Sequence, residues 1–292
     1  VFFPPLKIGH EMVAFNISLS LSPILELTSS DFELLKDKDA DGDRSDLAII
    51  MSFSDCAYSN LDIIKFGLVV FEILIALFIS VGIIKLKSDF FSSSVAFVNF
   101  PSTLIPNKVF TKPSAKEMLE LNSETHEIIN TDVLKEIDVH LAYSIPKELD
   151  NIATTYFPKA KQKAQQSILI DEFSKEYNTE PTAYLYLSEN TLNITAFKNE
   201  KLIFNNSFNF ETKEDILYFV LFAFEQLKLD TNNVNTLLFG DITKDDDNFK
   251  LLYEYIRNIE LGERPNQLKF PDEFNTLENQ KYFGLFSQIL CA

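Results

Sequence analysis

Glycine is scarce in this chain, and its absence from one long stretch limits the chemistry that the fold can support. Seven glycines occur among 292 residues, and none lies between Gly82 and Gly240. Glycine-rich loops hold nucleotide phosphates because backbone N–H groups must approach phosphate oxygens closely, and a Cβ atom obstructs that approach. Most of the chain therefore lacks the glycine-rich phosphate loops of nucleotide-binding proteins.

Basic residues, cysteine and histidine are also few. The 26 Lys and Arg residues stand against 43 Asp and Glu residues, and the net charge of −17 argues against a nucleic-acid partner because it repels phosphate backbones. Cys56 and Cys291 lie far apart in the sequence and without motif spacing, which argues against a disulfide framework and fits a reducing cytoplasm. The histidines form no cluster of metal ligands; they are His10, His126 and His140.

What the chain does contain is enough apolar sequence for a large core. It is 46% hydrophobic with 28 Phe, and its length suits two domains of ordinary size. Residues 1–20 lack a basic segment followed by a clean apolar run, so we expect no secretory signal and a cytoplasmic location.

The second half predicts a regular order of elements. Three strands alternate in period two, and Thr212 with Asp215 marks the start of a long amphipathic helix through a capping-box arrangement. The predicted elements are strands at 182–190, 191–197 and 202–210, a helix at 212–230, a strand at 234–242, a helix at 244–259, a strand at 267–270 and a helix at 277–290. This β-β-β-α-β-α-β-α order is that of a ribonuclease-H-like unit.

The first half follows part of the same order. The predicted elements are a strand at 13–22, a helix at 61–85, a strand at 95–100, a helix at 114–122, a strand at 136–146 and a helix at 147–158. The last five give α-β-α-β-α, which matches the end of the second half. We therefore predict an α/β fold of two ribonuclease-H-like (actin-like ATPase) subdomains in tandem, at residues 1–175 and 176–292.

Three stretches of the sequence resemble a known family. "SVAFVNFPSTLIPNKVF" (94–110), "VHLAYSIPKEL" (139–149) and "YFGLFSQILCA" (282–292) resemble the domain of unknown function 3822 family over about residues 92–292. The resemblance implies an actin-like ATPase fold in a soluble bacterial protein of the cytoplasm. It implies no assigned activity and no catalytic residue.

The actin-like fold directs attention to two turns where a nucleotide would bind. In the second half, the first turn of this kind is Ser188, Glu189 and Asn190, which contains no glycine and whose Glu189 repels phosphate unless a metal intervenes. The second is Gly240 with Asp241, a single glycine that closes a buried strand. A strand-to-helix turn explains this dipeptide as well, so no motif supports ATP or Mg²⁺ as a cofactor.

An acidic stretch at residues 37–46 resembles a calcium loop. Asp37, Asp39 and Asp41 occupy the first, third and fifth positions of such a loop, and Gly42 occupies the sixth. The twelfth position, which requires a bidentate Glu, is Ala48. We interpret the stretch as a solvated acidic loop, with weak calcium binding as the open alternative.

One apolar segment, residues 66–84, is nearly long enough to span a bilayer, which takes about 20 residues. Glu72 lies inside it and would be costly in lipid. The sequence favours a buried helix that packs on the sheet over a membrane span.

Three functions remain open. The first is a non-catalytic binding or scaffold protein without ATP hydrolysis, which holds an unknown protein partner in its cleft or at a sheet edge. The second is a divergent ATP-binding enzyme of the actin/sugar-kinase class. The third is a membrane-anchored assembly platform that uses residues 66–84.

Overall fold

The computed structural model describes residues 13–18, 47–54, 92–176, 179–188, 190–268, 270 and 277–291. The predicted helix at 61–85, the apolar segment 66–84, the acidic stretch with Asp37, Asp39 and Asp41, and the predicted site residue Glu189 lie outside these residues. Among the described residues, no helix is long and apolar enough to cross a membrane.

The N-terminal half, taken here as the described residues up to 176, contains seven strands and three helices. They are β1 (Val13–Ser18), β2 (Leu47–Ser54), β3 (Ser92–Val98), β4 (Ser102–Pro106), α1 (Lys112–Asn122), β5 (Ile128–Leu134), β6 (Val139–Ile145), α2 (Lys147–Tyr156), β7 (Lys161–Ala164) and α3 (Gln165–Phe173). Strands β1, β2, β3 and β7 form a parallel sheet in that order. Strands β4, β6 and β5 form a separate antiparallel sheet.

The predicted α-β-α-β-α order is wrong for this half. Within residues 92–173 the order is β-β-α-β-β-α-β-α, because the antiparallel sheet and α1 are inserted between β3 and α2. Strands β1 to β3 run parallel, and so they do not repeat the antiparallel meander that opens the second half.

The second half follows the predicted ribonuclease-H-like order. Its elements are β8 (Thr182–Ser188), β9 (Thr191–Lys198), β10 (Lys201–Asn209), α4 (Lys213–Leu227), β11 (Asn235–Gly240), α5 (Asp247–Tyr255), β12 (Asn258–Leu261) and α6 (Phe283–Cys291). They form one sheet in the order β10-β9-β8-β11-β12, in which β8 pairs antiparallel with β9 and parallel with β11.

Local sequence features explain where several of these strands and helices begin and end. Asn199 and Glu200 both adopt positive φ angles, as the two-residue turn of a β-hairpin requires. The predicted capping box is confirmed: the Asp215 N–H donates to the Thr212 hydroxyl, and the Asp215 carboxylate accepts from the Thr212 N–H at 2.9 Å.

The predicted strand at 267–270 is wrong. The fifth strand of the sheet is β12, which pairs with β11 in parallel. Leu268 and Phe270 instead pack in a small apolar cluster with Phe286 of α6. Their alternating apolar pattern reflects this packing.

Aromatic side chains fill the space between the two main sheets. Phe173 of α3 stacks on Tyr184 of β8 with ring centroids 4.3 Å apart, and it lies 5.2 Å from Phe283 of α6. Phe239 at the end of β11 completes the group, 4.2 Å from Phe283. These rings belong to a buried core that also contains Val95 and Phe97 of β3. Helices α3 and α6 therefore join the two halves through one core.

Candidate functional site

The predicted glycine at the end of β11 sits against the backbone of the neighbouring strand. Gly240 pairs with Leu187 of β8 and has a φ of +86°. A Cβ atom at this position would lie 1.9 Å from the Leu187 carbonyl oxygen. Glycine is therefore required here both by the backbone angle and by the close approach of β8.

The backbone N–H groups of this turn are hydrogen-bonded within the protein. The Gly240 N–H donates to the Gln280 carbonyl at 3.0 Å, the Asp241 N–H to the Leu187 carbonyl at 2.8 Å, and the Ile242 N–H to the Gly240 carbonyl at 2.9 Å. The Gln280 side chain closes the arrangement by donating to the Ile242 carbonyl at 2.7 Å. The turn is fixed by residues of its own chain.

The structure brings several of the predicted site residues to one sheet edge. Ser188 ends β8 and directly follows Leu187, the partner of Gly240 in the parallel pairing of β8 with β11. Asn190 follows across the β8–β9 turn, and its carbonyl accepts from the Phe210 N–H at 2.9 Å. The carboxyl ends of parallel strands are where open α/β sheets bind ligands, and the predicted residues lie at such ends.

Tyr186 shows how closely α6 approaches this edge. Burial raises the pKa of the Tyr186 phenol, and the negative charge of Asp241 raises it further, while a hydrogen bond from the Gly284 backbone acts in the opposite direction. A Cβ atom at Gly284 would lie 2.6 Å from the Tyr186 hydroxyl oxygen. The beginning of α6 is thus packed against β8.

A second site, which the sequence analysis missed, lies between the two halves. We call it the polar cleft: a cavity of about 610 Å³ bordered by residues 99–104, Ser123, Gln166 of α3 and one face of the β9–β10 hairpin. That face carries three cross-strand pairs of polar residues, which are Thr191 with Asn209, Asn193 with Ser207 and Thr195 with Asn205. The sequence signal was the alternation of Thr and Asn along β9.

Hydrogen bonds connect these pairs into one network. The Asn205 amide donates to the Thr195 hydroxyl at 2.8 Å, the Thr195 hydroxyl to the Asn193 side-chain oxygen at 3.0 Å, and the Asn193 amide to the Ser207 hydroxyl at 3.1 Å. Asn193 and Thr195 are 5% and 0% exposed. The network fixes the positions of the Asn205 and Ser207 side chains, which border the cleft.

Gln166 spans the cleft and connects the halves. Its side-chain oxygen accepts a hydrogen bond from the Ser102 hydroxyl, and its amide nitrogen donates to the Ser207 hydroxyl at 2.5 Å. A single side chain on α3 is therefore bonded to both walls.

A second cavity, of about 740 Å³, is bordered by α1, β5, β6 and β7. Its buried acid is Asp132, whose carboxylate accepts from the Ala164 N–H at 2.8 Å. Burial raises the pKa of Asp132 from 3.8 to about 6, although this hydrogen bond and the charge of Lys163 lower it. The bond joins the inserted antiparallel sheet to the start of α3, which gives Asp132 a structural role.

Two aromatic rings of α4 are exposed on the outer side of the helix. Phe224 is buried, but Phe222 is 47% exposed and Tyr218 is 60% exposed, and these two rings stack with centroids 5.8 Å apart. Tyr253 and Tyr255 of α5 are also exposed. Within the part of the chain that the structure describes, no group of three or more His, Cys, Asp or Glu side chains is placed to hold a metal ion.

Comparison with models of protein families shows which family this chain belongs to. A model described as "Protein of unknown function (DUF3822)" matches residues 70–259. The chain belongs to this family. The resemblance seen in the strands around Val95 and Leu141 is confirmed. No curated protein matches the DUF3822 chain.

A solved structure similar to the DUF3822 chain has the predicted fold, and two others align with it less closely. A Bacteroides thetaiotaomicron protein with an actin-like ATPase fold and unknown function aligns with a TM-score of 0.61 at 19% identity, over 71% of this chain and 76% of that one. The PilM–PilN type IV pilus biogenesis complex gives a TM-score of 0.49 at 8% identity, over 68% and 79%. The apo pSK41 ParM protein gives 0.29 at 14% identity, over 68% and 64%. The DUF3822 chain has an actin-like fold, and similarity at this identity supports the fold alone.

Proposed function

We propose that this protein is a non-catalytic binding or scaffold protein that does not hydrolyse ATP. The observation that carries the proposal is the internal use of the Gly240–Ile242 backbone. A nucleotide-binding turn offers N–H groups to its ligand, whereas these three N–H groups already donate to Gln280, Leu187 and Gly240.

The glycine itself has a structural explanation that needs no nucleotide. Gly240 allows β11 to turn directly against the Leu187 carbonyl. The other turn, at Ser188 and Asn190, has no glycine, so side chains stand where a phosphate would approach. The residues at this edge do not fit Mg-ATP, and we derive no step through it.

The protein partner in this proposal binds the outer face of α4. Tyr218 and Phe222 form an exposed stacked pair, and the exposed carboxylates Glu214 and Glu225 flank it at helical spacing. Aromatic rings bordered by carboxylates favour a partner segment that carries Lys or Arg beside apolar residues. The net charge of −17 adds long-range attraction for such a segment.

A divergent ATP-binding enzyme is the second candidate. The observation in its favour is that Ser188, Gly240 and Asp241 meet at the carboxyl ends of adjacent parallel strands. For such an enzyme to bind nucleotide, the turn at Gly240–Ile242 would have to open. Its N–H groups would then exchange their internal hydrogen bonds for bonds to the nucleotide.

Titration calorimetry with Mg-ATP and Mg-ADP, together with a phosphate-release assay, tests the proposal. Gly240→Val is unsuitable as the site variant because its side chain would collide with Leu187. Asp241→Asn is the better variant, and Asp245→Asn, an exposed acid in the following loop, is its control. We expect no heat and no phosphate release from the folded wild type. Micromolar binding that Asp241→Asn removes and Asp245→Asn keeps would favour the enzyme.

We also propose a cytoplasmic location, on the two widely separated cysteines. A membrane-anchored platform would depend on residues 66–84. Carbonate extraction of expressing cells distinguishes the two, since a spanning segment keeps the protein in the membrane pellet.

A further inference from the structure

The polar cleft has a lining that no part of the proposed function uses. Its walls come from both halves, and Gln166 bridges them. The cavity, at about 610 Å³, is in the range of pockets that bind small molecules, roughly 300–1,000 Å³. Thr191 borders the cleft and is 3% exposed, and the buried Asn193 and Thr195 are hydrogen-bonded to the bordering residues Ser207 and Asn205.

The side chains that border the polar cleft disfavour a charged ligand. None of the described residues that border the cleft is Asp, Glu, Lys, Arg or His, although the chain has 26 Lys and Arg residues and 43 Asp and Glu residues. A phosphate or carboxylate would lose its hydration there without a cation to replace it. The polar groups are side-chain amides and hydroxyls, each of which can donate and accept hydrogen bonds.

Asn99 supplies an independent indication of a ligand. It borders the cleft in a left-handed backbone conformation, with a φ of 61°. Its side-chain amide nitrogen is buried and has no hydrogen-bond partner among the described residues. Buried donors are nearly always paired in folded proteins, so this amide needs an acceptor that the described residues do not supply, and we assign that role to a ligand in the cleft.

We propose that the polar cleft binds an uncharged, hydroxyl-rich molecule of the saccharide or cyclitol class. Hydroxyl groups of such a ligand donate and accept hydrogen bonds, as the Asn, Ser, Thr and Gln side chains do. Each ligand group can therefore find a hydrogen-bonding partner in the cleft. Phe100 and Leu104, also at the cleft, provide an apolar surface for the C–H face of a ring.

The same observations disfavour an extended peptide. A peptide added to the β10 edge would need its backbone groups, but the Ser207 N–H already donates to the Asn206 side chain at 2.9 Å. A peptide also needs pockets for alternate side chains, and ten of the thirteen described residues that border the cleft are polar.

The test uses saturation-transfer-difference NMR on the full chain with a panel of neutral monosaccharides, disaccharides and inositols, followed by calorimetry for any probe that binds. Asn99→Gly is the central variant because glycine keeps the left-handed backbone while removing the unpaired amide. Asn199→Gly is the matched control, since Asn199 also has a positive φ but lies in the β9–β10 turn.

We expect at least one probe to bind wild type and Asn199→Gly equally, and to bind Asn99→Gly roughly tenfold more weakly. Asn205→Leu, which places an apolar group in the cleft, should weaken the same probe while thermal unfolding shows a folded protein. If no probe binds, or if Asn99→Gly binds as wild type does, the proposal is overturned. Binding of trialanine that is acetylated at its N-terminus and amidated at its C-terminus, in place of every saccharide, would also overturn it. Mg-ATP binding in the same experiment would contradict the proposed function and leave this inference unaffected.

Discussion

Gly240 and Leu187 approach each other so closely that residue 240 has no room for a side chain: an added Cβ would lie 1.9 Å from the Leu187 carbonyl oxygen. The same carbonyl accepts the Asp241 N–H at 2.8 Å. One backbone contact thus explains a glycine that would otherwise indicate a nucleotide site. In an actin-like fold with few glycines, the reason for each one matters to the assignment of function.

The first prediction concerns this contact. Gly240→Ala should lower the free energy of unfolding by about 2–4 kcal/mol, because the added carbon strains the backbone and displaces β8. Asn199→Ala is the control for positive φ without the collision, and it should cost about 1 kcal/mol. Urea unfolding measures both, and equal losses in the two variants would contradict the close-contact explanation.

The second prediction concerns Asp132. Its pKa is about 6 in the folded protein, against 3.8 ordinarily, because burial disfavours the charged form. Between these pH values the folded state binds more protons than the unfolded chain, so stability falls as pH rises from about 4 to about 6. The shift corresponds to about 3 kcal/mol.

The stability of Asp132→Asn relative to wild type should therefore increase as pH rises across that interval. The Asn side chain keeps an acceptor for the Ala164 N–H. Lys163 and Asp171, the charged neighbours that act on Asp132, remain in both proteins. Urea unfolding at a series of pH values gives the difference between the two curves. A difference that does not change with pH would show that Asp132 titrates normally.

The third prediction concerns the bridge across the polar cleft. Gln166→Met keeps the volume but removes the bonds to Ser102 and Ser207, and should cost about 1–2 kcal/mol. Combined with Ser207→Ala in a double-mutant cycle, it should give a coupling above about 0.5 kcal/mol. Gln165→Met, at the neighbouring position of α3, is the control. Strict additivity of Gln166→Met and Ser207→Ala would mean that the bridge contributes nothing to stability.

The fourth prediction concerns the exposed rings of α4. Tyr218→Ser and Phe222→Ser should change the free energy of unfolding by less than about 0.5 kcal/mol each, since both rings face solvent. Phe224→Ala, on the buried side of the same helix, should cost about 3–5 kcal/mol. Large losses at residues 218 and 222 would place these rings in the core and remove the proposed partner surface.

The order of the second half was predictable because its signals are local. Period-two alternation identified β8 to β10, and Thr212 with Asp215 identified the start of α4. Strand β12 was missed because its four residues, Asn258–Leu261, carry little pattern, while Leu268 and Phe270 imitate a strand although they pack on α6. In the first half, the polar four-residue strand β7 (Lys161–Ala164) was missed for the same reason.

The predicted site was only partly accessible from sequence. Strand ends are local, so Ser188 and Gly240 could be placed near each other. Gln280 is hydrogen-bonded to the Gly240 N–H and to the Ile242 carbonyl. It lies about forty residues further along the chain, and no local sequence pattern connects it to Gly240. The polar cleft depends on the β9–β10 register and on the approach of Gln166, which are both properties of tertiary structure.

Amide hydrogen exchange at Gly240, Asp241 and Ile242, with and without Mg-ATP, tests the central claim most directly. We predict that these amides exchange slowly in the nucleotide-free protein, because each is bonded to Gln280, Leu187 or Gly240, and that Mg-ATP does not change their rates. Fast exchange that Mg-ATP slows would show that the turn offers its N–H groups to a nucleotide. That result would contradict the claim that this protein uses the actin-like fold without ATP.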